Sequence, residues 1–192
     1  MELVFATHNV NKVIEVQGLM PKGIKLLSLK DIGCTEDIPE TAQTLEGNAL
    51  LKAQFVLDNY GYSCFADDTG LEVAALSGAP GVFSARYAGP EKSNEKNMQR
   101  LLVNLKDKTD RSAQFRTVIA FVSRKCTKTF EGICKGEITK EKSGTEGFGY
   151  DPIFMPKGFD QTFAQMPLSL KNKIGHRGKA VQLFLDFTEK LL

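Results

Sequence analysis

Apolar positions along this chain follow two rhythms. Residues 3–6 and 62–66 are short, nearly continuous apolar runs of the length that buried strands take. Between them, Leu45, Ala49, Ala53, Val56, Leu57 and Tyr60 return every three or four positions, which predicts a helix. Thr44 supplies a side-chain cap at its start and Gly61 a stop at its end. Residues 11–19 read as a shorter helix and residues 24–29 as a second strand. The polar stretch 30–41, with Gly33 and Pro39, reads as a loop. Thr69-Gly70, following the acids Asp67 and Asp68, reads as a turn; residues 71–76 read as another strand, and 77–81 as a loop. Ser93 caps a helix with Met98, Leu101, Leu102 and Leu105 on its inner face. Residues 113–123 and 128–140 run in strand fashion and pair as neighbours. Residues 144–150 are glycine-rich, and a last helix from about Gly178 turns Val181, Phe184, Leu185 and Leu191 inward.

Strands and helices alternate at first, then two long strands follow one another. That order predicts an α/β or α+β fold with a mixed sheet. The 192 residues suit one domain, or two lobes sharing a core. Hydrophobic residues make up 42%, enough for an ordinary core, so disorder is not expected. A formal net charge of +2 is too mild for a surface that coats nucleic acid, yet it leaves room for a local anion pocket. The first residues lack the basic region and long apolar stretch of a signal peptide, and no apolar run approaches the ~20 residues that span a bilayer. A cytoplasmic protein that binds neither membrane nor nucleic acid is expected. Cys34, Cys64, Cys126 and Cys134 form no CxxC pair and read as scattered free thiols.

Candidate chemistry begins with Asp67 and Asp68, two hard oxygen donors delivered by a buried strand to a turn. Carboxylates so placed bind Mg²⁺ or act as a base; a solvated Asp-Asp turn is the other reading. The first strand ends in Thr7-His8-Asn9-Val10-Asn11-Lys12, where a helix start exposes backbone N–H groups to a phosphate or is simply capped. It is not a Walker A loop. Asn48 and Lys52 share a helix face, and Lys52 is either solvated or aimed at an anion. Glu40 is a third carboxylate for a metal, or a surface acid. Phe148-Gly149-Tyr150-Asp151 pairs two aromatics, for stacking on a base or for the core, and adds an acid. Lys171, His176 and Arg177 form a late basic cluster, which reads base edges or opens the last helix. Neither histidine falls in a nucleophile-base-acid pattern.

The order and spacing of these motifs are together specific. Thr7-x-Asn9-x-x-Lys12, Glu40 and Glu46-Gly47-Asn48-Ala49-x-x-Lys52-Ala53 come first. Ala66-Asp67-Asp68-Thr69-Gly70-Leu71 and Gly78-Ala79-Pro80-Gly81-Val82-x-Ser84-Ala85-Arg86-Tyr87-Ala88-Gly89 follow. Gly147-Phe148-Gly149-Tyr150-Asp151-Pro152-Ile153-Phe154, Thr162-Phe163-Ala164 and Lys171-Asn172…His176-Arg177-Gly178 complete the set. Over essentially its whole length the chain resembles the inosine triphosphate pyrophosphatase family, also called Ham1-like or dITP/XTP pyrophosphatases.

The resemblance implies a single domain over residues 1–192 with an elongated α/β fold. Two lobes share a long central mixed β-sheet flanked by helices, with a cleft between them. It implies a homodimer and Mg²⁺-dependent hydrolysis of ITP, dITP and XTP to the monophosphate plus pyrophosphate, which cleanses the nucleotide pool. Thr7, His8, Asn9, Val10, Asn11 and Lys12 would hold the triphosphate. Glu40 and Asp68 would bind Mg²⁺ or its waters, with Asp67 beside them. Asp68 would be the general base, aided by Lys12 and Lys52, and Thr69 would lie near the substrate. Phe148, Gly149, Tyr150, Asp151, Lys171, His176 and Arg177 would line the base pocket. The chain departs from the family pattern in having Gly175 for a serine, Gln165 for an acid and no acids over residues 167–170. A pyrophosphatase for other modified or pyrimidine triphosphates, and a non-catalytic nucleotide sensor, are the alternatives.

Overall fold

A computed structural model describes residues 2–189; the expected inward position of Leu191 lies outside them. Seven strands form one sheet: β1 (Glu2–Phe5), β2 (Lys25–Ser28), β3 (Cys64–Val73), β4 (Pro80–Gly81), β5 (Ser112–Val122), β6 (Thr127–Ile138) and β7 (Phe154–Pro156). Their order is β2-β1-β3-β5-β6-β7, with β4 beside β3. The sheet is mixed, as the order of elements predicts: β1 runs parallel to β2 and β3, while β3–β4 and β6–β7 are antiparallel. The described residues also form five α-helices: α1 (Val10–Gln17), α2 (Leu45–Tyr60), α3 (Asn94–Asn104), α4 (Leu168–Ile174) and α5 (His176–Thr188). Among the described residues no helix is long and apolar enough to cross a membrane, and the four cysteines are free.

Local signals set the helix ends. The Thr44 hydroxyl accepts the Gly47 N–H at 3.0 Å at the start of α2, and Gly61, at φ 74°, closes it. Ser93 accepts the Lys96 N–H in the same way at the start of α3.

The structure corrects the sequence reading in several places. No turn follows the two acids: β3 runs unbroken through Asp67, Asp68, Thr69 and Gly70. Gly70 is a close-approach glycine, since a Cβ there would stand 2.6 Å from the Gly81 carbonyl oxygen of β4. The strand expected over 71–76 is the end of β3 followed by a 3-10 turn, Ala74–Leu76. β7 and α4 were not anticipated. The last helix begins at His176, two residues before Gly178.

The chain packs as two compact units. Over the described residues, unit 1 comprises 2–68, 117–132 and 177–189. Unit 2 comprises Thr69–Arg116 and Ile133–His176. Two of the four boundaries fall inside the Asp68-Thr69 and His176-Arg177 motifs.

In unit 1 the sheet is covered on both faces. Leu3, Phe5, Phe65, Ile119 and Phe121 pack against Val16 of α1 and Val181 and Phe184 of α5. Val4, Ala6, Cys64, Ala66 and Val122 pack against Ala53 and Val56 of α2. The alternation is the period of two that a strand imposes. Phe5 and Phe65, cross-strand neighbours in register, stack with ring centroids 4.6 Å apart. Unit 2 has its own core, in which Leu71, Val73, Met98, Leu101, Phe115, Phe154 and Phe163 meet.

Candidate active site

The same alternation sorts the two aspartates. Phe65 faces α1 and α5, so Asp67 does too; Ala66 faces α2, so Asp68 does. Their partners agree. Asp67, 1% exposed, accepts from Lys12 Nζ of α1 at 2.9 Å through Oδ1 and from Arg177 Nε of α5 at 3.0 Å through Oδ2. Its backbone carbonyl accepts from Lys52 Nζ at 2.8 Å. Asp68 accepts from Asn48 Nδ2 of α2 at 3.1 Å and lies 3.9 Å from Lys52 Nζ. Three cationic side chains therefore converge where β3 leaves unit 1. Arg177 is also paired with Glu15, a buried acid of α1.

These surroundings push the two carboxyls apart. Burial would raise Asp67, but Lys12, Arg177 and Lys52 overcome it and hold the group far below the ordinary carboxylate range. Burial raises Asp68, and the nearby Glu40 adds to the rise against the pull of Lys52 and Lys12. Burial lowers Lys12, against the attraction of Asp67. For Lys52 burial is outweighed by Asp68, Glu40 and Asp67, and its pKa rises. The environment thus splits the Asp67–Asp68 pair, from opposite faces of the strand.

Glu40 lies in the loop before α2, and its carboxylate accepts from Lys52 Nζ at 2.6 Å. Glu40 and Asp68 both face one ammonium group. Two hard carboxylate donors about a cationic position fit Mg²⁺, which typically takes one or two carboxylates and completes its shell with water and phosphate. Among the described residues no group of three or more acidic, histidine or cysteine ligands is preassembled. Both carboxylate oxygens of Asp67 are engaged, one by Lys12 and the other by Arg177.

The segment 7–12 is a capped helix start. Thr7 Oγ1 accepts the Asn9 N–H at 3.1 Å, and Asn9 Oδ1 accepts the N–H groups of Asn11 and Lys12 at 3.0 and 3.2 Å. His8, Asn9, Val10 and Asn11 are exposed, and His8 Nε2 meets the Glu36 carbonyl at 3.0 Å. Lys12 is the member that turns inward, to Asp67.

Unit 2 holds the remaining candidates. Asp151, 2% exposed, accepts from Lys171 Nζ at 2.5 Å and from the Phe148 N–H at 2.8 Å. Lys171 Nζ also sits 5.1 Å above the Phe148 ring. The two aromatics of this motif part company. Tyr150 is a core residue whose hydroxyl donates to the Ser84 carbonyl at 2.8 Å, whereas Phe148 is half-buried. Gly149 and Thr69 are half-buried as well. The His176 imidazole is buried and stacked on Phe115 at 4.5 Å.

Two departures from the family pattern have local explanations. The Gln165 amide oxygen accepts the Thr162 N–H at 2.9 Å, a capping role an acid would also fill. Gly175 donates to the Lys171 carbonyl at 2.8 Å, and a Cβ at Gly175 would lie 2.5 Å from that oxygen. Pro167 caps α4 and residues 168–170 form its first turn, just ahead of Lys171.

Two members of the site escaped the list of candidates. Asn48 was noted only for its helix face, and Glu15 was missed. Lys12 and Glu15 are three apart on α1, and Glu15 adjoins the inward Val16; that spacing was the available signal.

A family model described as the Ham1 family matches residues 3–187. The chain belongs to the Ham1 family. Its relatives include the dITP/XTP pyrophosphatase of Flavobacterium johnsoniae, 60% identical over 186 residues and 97% of each chain. The dITP/XTP pyrophosphatase of Bacillus subtilis is 44% identical over 185 residues, covering 94% of this chain and 93% of the relative. The solved structure of the Staphylococcus aureus Ham1 protein superposes over the full length of both chains, with a TM-score of 0.91 at 40% identity. The mixed α/β architecture is accordingly a Ham1 fold.

Proposed function

We propose that this chain is a Mg²⁺-dependent nucleoside triphosphate pyrophosphatase. It hydrolyses dITP, ITP and XTP to the monophosphate and pyrophosphate, and so clears deaminated purines from the nucleotide pool. The names of the relatives support the dITP and XTP part of this reading. The observation that carries it is the gathering of Lys12, Lys52 and Arg177 about Asp67 and Asp68 at one point of a buried strand.

Charge explains the need for a metal. Lys12, Lys52 and Arg177 stand against Glu15, Glu40, Asp67 and Asp68, which leaves one net negative charge when all are ionised. A triphosphate is repelled by that balance, and a divalent cation reverses its sign. Mg²⁺ bound through Glu40 and Asp68 would neutralise phosphate charge and ease departure of pyrophosphate. Lys12 and Lys52 grip the phosphate chain. Asp68, kept basic by burial, takes the proton of the attacking water.

The resemblance assigns recognition of the base to Phe148, Asp151, Lys171, His176 and Arg177. Hypoxanthine presents acceptors at O6 and N7, where adenine carries an amino donor at position 6. N–H donors aimed at O6 are left unpaired against adenine, a mismatch that discriminates by ~10⁴ or more. ATP is therefore a poor substrate. The resemblance also supports a homodimer and a cytoplasmic location.

Product analysis tests the reading. Incubation with ITP and Mg²⁺ yields IMP and pyrophosphate in equal amounts. Release of orthophosphate and IDP refutes cleavage at the α–β bond.

A further inference from the structure

Asp67 holds two substrate grips at once. One carboxylate oxygen takes Lys12 and the other takes Arg177, both on the α1/α5 face of β3 and both buried or nearly so. Under the proposed function, on which this inference rests, Lys12 grips phosphate and Arg177 reads the base. The two residues lie 165 positions apart in sequence, and the side chain of Asp67 is a direct bridge between them. Glu15 braces Arg177 from its other end. The backbone carbonyl of Asp67 takes Lys52.

We propose that Asp67 is a positioning residue that couples recognition of the base to the phosphate grip. A 6-oxo base that draws Arg177 onto its O6 alters the pull of Arg177 on Asp67 Oδ2. The shared carboxylate passes that change to Lys12 on Oδ1, and so to the phosphate chain. A base that gives Arg177 no acceptor leaves Lys12 in its resting place. Discrimination between bases then appears in kcat as well as in KM, because the base controls how the reacting phosphate is held.

Steady-state kinetics of pyrophosphate release from ITP and ATP test this on the Mg²⁺-loaded wild type and on Asp67→Asn, at a temperature where thermal melting shows each folded. Wild type discriminates in both kcat and KM. In Asp67→Asn the ITP-to-ATP ratio of kcat falls by about tenfold or more, while the ratio of KM stays within about threefold, as expected when residues sharing a partner are uncoupled. Equal loss on both substrates, with the kcat ratio intact, overturns the coupling and leaves Asp67 a structural anion.

Glu15→Gln supplies a second test that does not remove the bridge. It loosens Arg177 and leaves Asp67 in place, so the ITP-to-ATP ratio of kcat falls while inhibition by tripolyphosphate, which has no base, is unchanged. A ratio that does not move in this variant likewise overturns the coupling. Wild-type protein that releases no pyrophosphate from ITP refutes the proposed function itself, an outcome distinct from either.

Discussion

Replacing either aspartate with asparagine removes one charge and almost no volume, yet the two changes have opposite consequences for stability. Asp68 lies 3.9 Å from Lys52, an attraction worth about 4 kcal/mol at an effective dielectric constant of ~20. Its pKa is nevertheless raised, so the cost of burying the charge exceeds that attraction. A group raised in the folded state stabilises below its unfolded pKa, and that contribution is lost as pH climbs through the folded value. At neutral pH the Asp68 charge is thus a net burden, and Asp68→Asn leaves the metal-free protein as stable as wild type or more so. It also removes the change in stability that wild type shows just above the unfolded carboxyl pKa. Asp67 is depressed, so its contribution is present above the unfolded pKa and is lost only as pH falls toward the folded one. Breaking its pairs with Lys12 and Arg177 leaves buried cations uncompensated, and Asp67→Asn costs about 3–5 kcal/mol. Urea denaturation in the presence of a chelator measures both. Activity separates them in the other direction: Asp68→Asn, stable as it is, loses about 10²–10⁴ in kcat with the general base gone. If Asp68→Asn destabilises the protein by as much as Asp67→Asn, or retains wild-type turnover while folded, the division of labour between the two faces of β3 is wrong.

Three further substitutions probe other parts of the account. Gly70→Ala forces a methyl against the Gly81 carbonyl and costs about 1–3 kcal/mol in chemical denaturation, without touching the charged cluster. Lys171→Met leaves the Asp151 carboxylate buried without its ammonium, costing about 3–5 kcal/mol of stability by thermal or urea melt, and it raises KM for ITP. Glu40→Gln weakens Mg²⁺ binding in calorimetric titration with pyrophosphate present, by about tenfold or more for loss of one of two carboxylate donors.

Much of the fold was legible because its signals are local. The Thr44 cap, the Gly61 stop and the helical spacing between them lie within a few residues of one another, and each fell where the structure has it. The acid pair misled for the same reason. Thr69-Gly70 has the chemistry of a turn, and only the approach of Gly81, eleven positions on, shows that the glycine makes room for a neighbouring strand. β7 is three residues long and α4 seven, too short to display a period. At the site, residue types and spacing brought out Lys12, Lys52, Asp67 and Asp68. They did not reveal that Asp67 meets Arg177, a contact 110 positions apart. Nor did they separate Tyr150 from Phe148: both are aromatic, and only packing sends one to the core.

The central claim is that acids, lysines and an arginine gathered at one point of a buried strand serve a cation-assisted attack on the triphosphate of a 6-oxo purine. Pyrophosphate release from ITP, XTP, GTP and ATP, each with and without Mg²⁺, tests it most directly. Rapid release from ITP and XTP, little from ATP and none from any of them without the metal is the predicted result. Equal turnover of ATP and ITP, or turnover that persists in excess chelator, would contradict it.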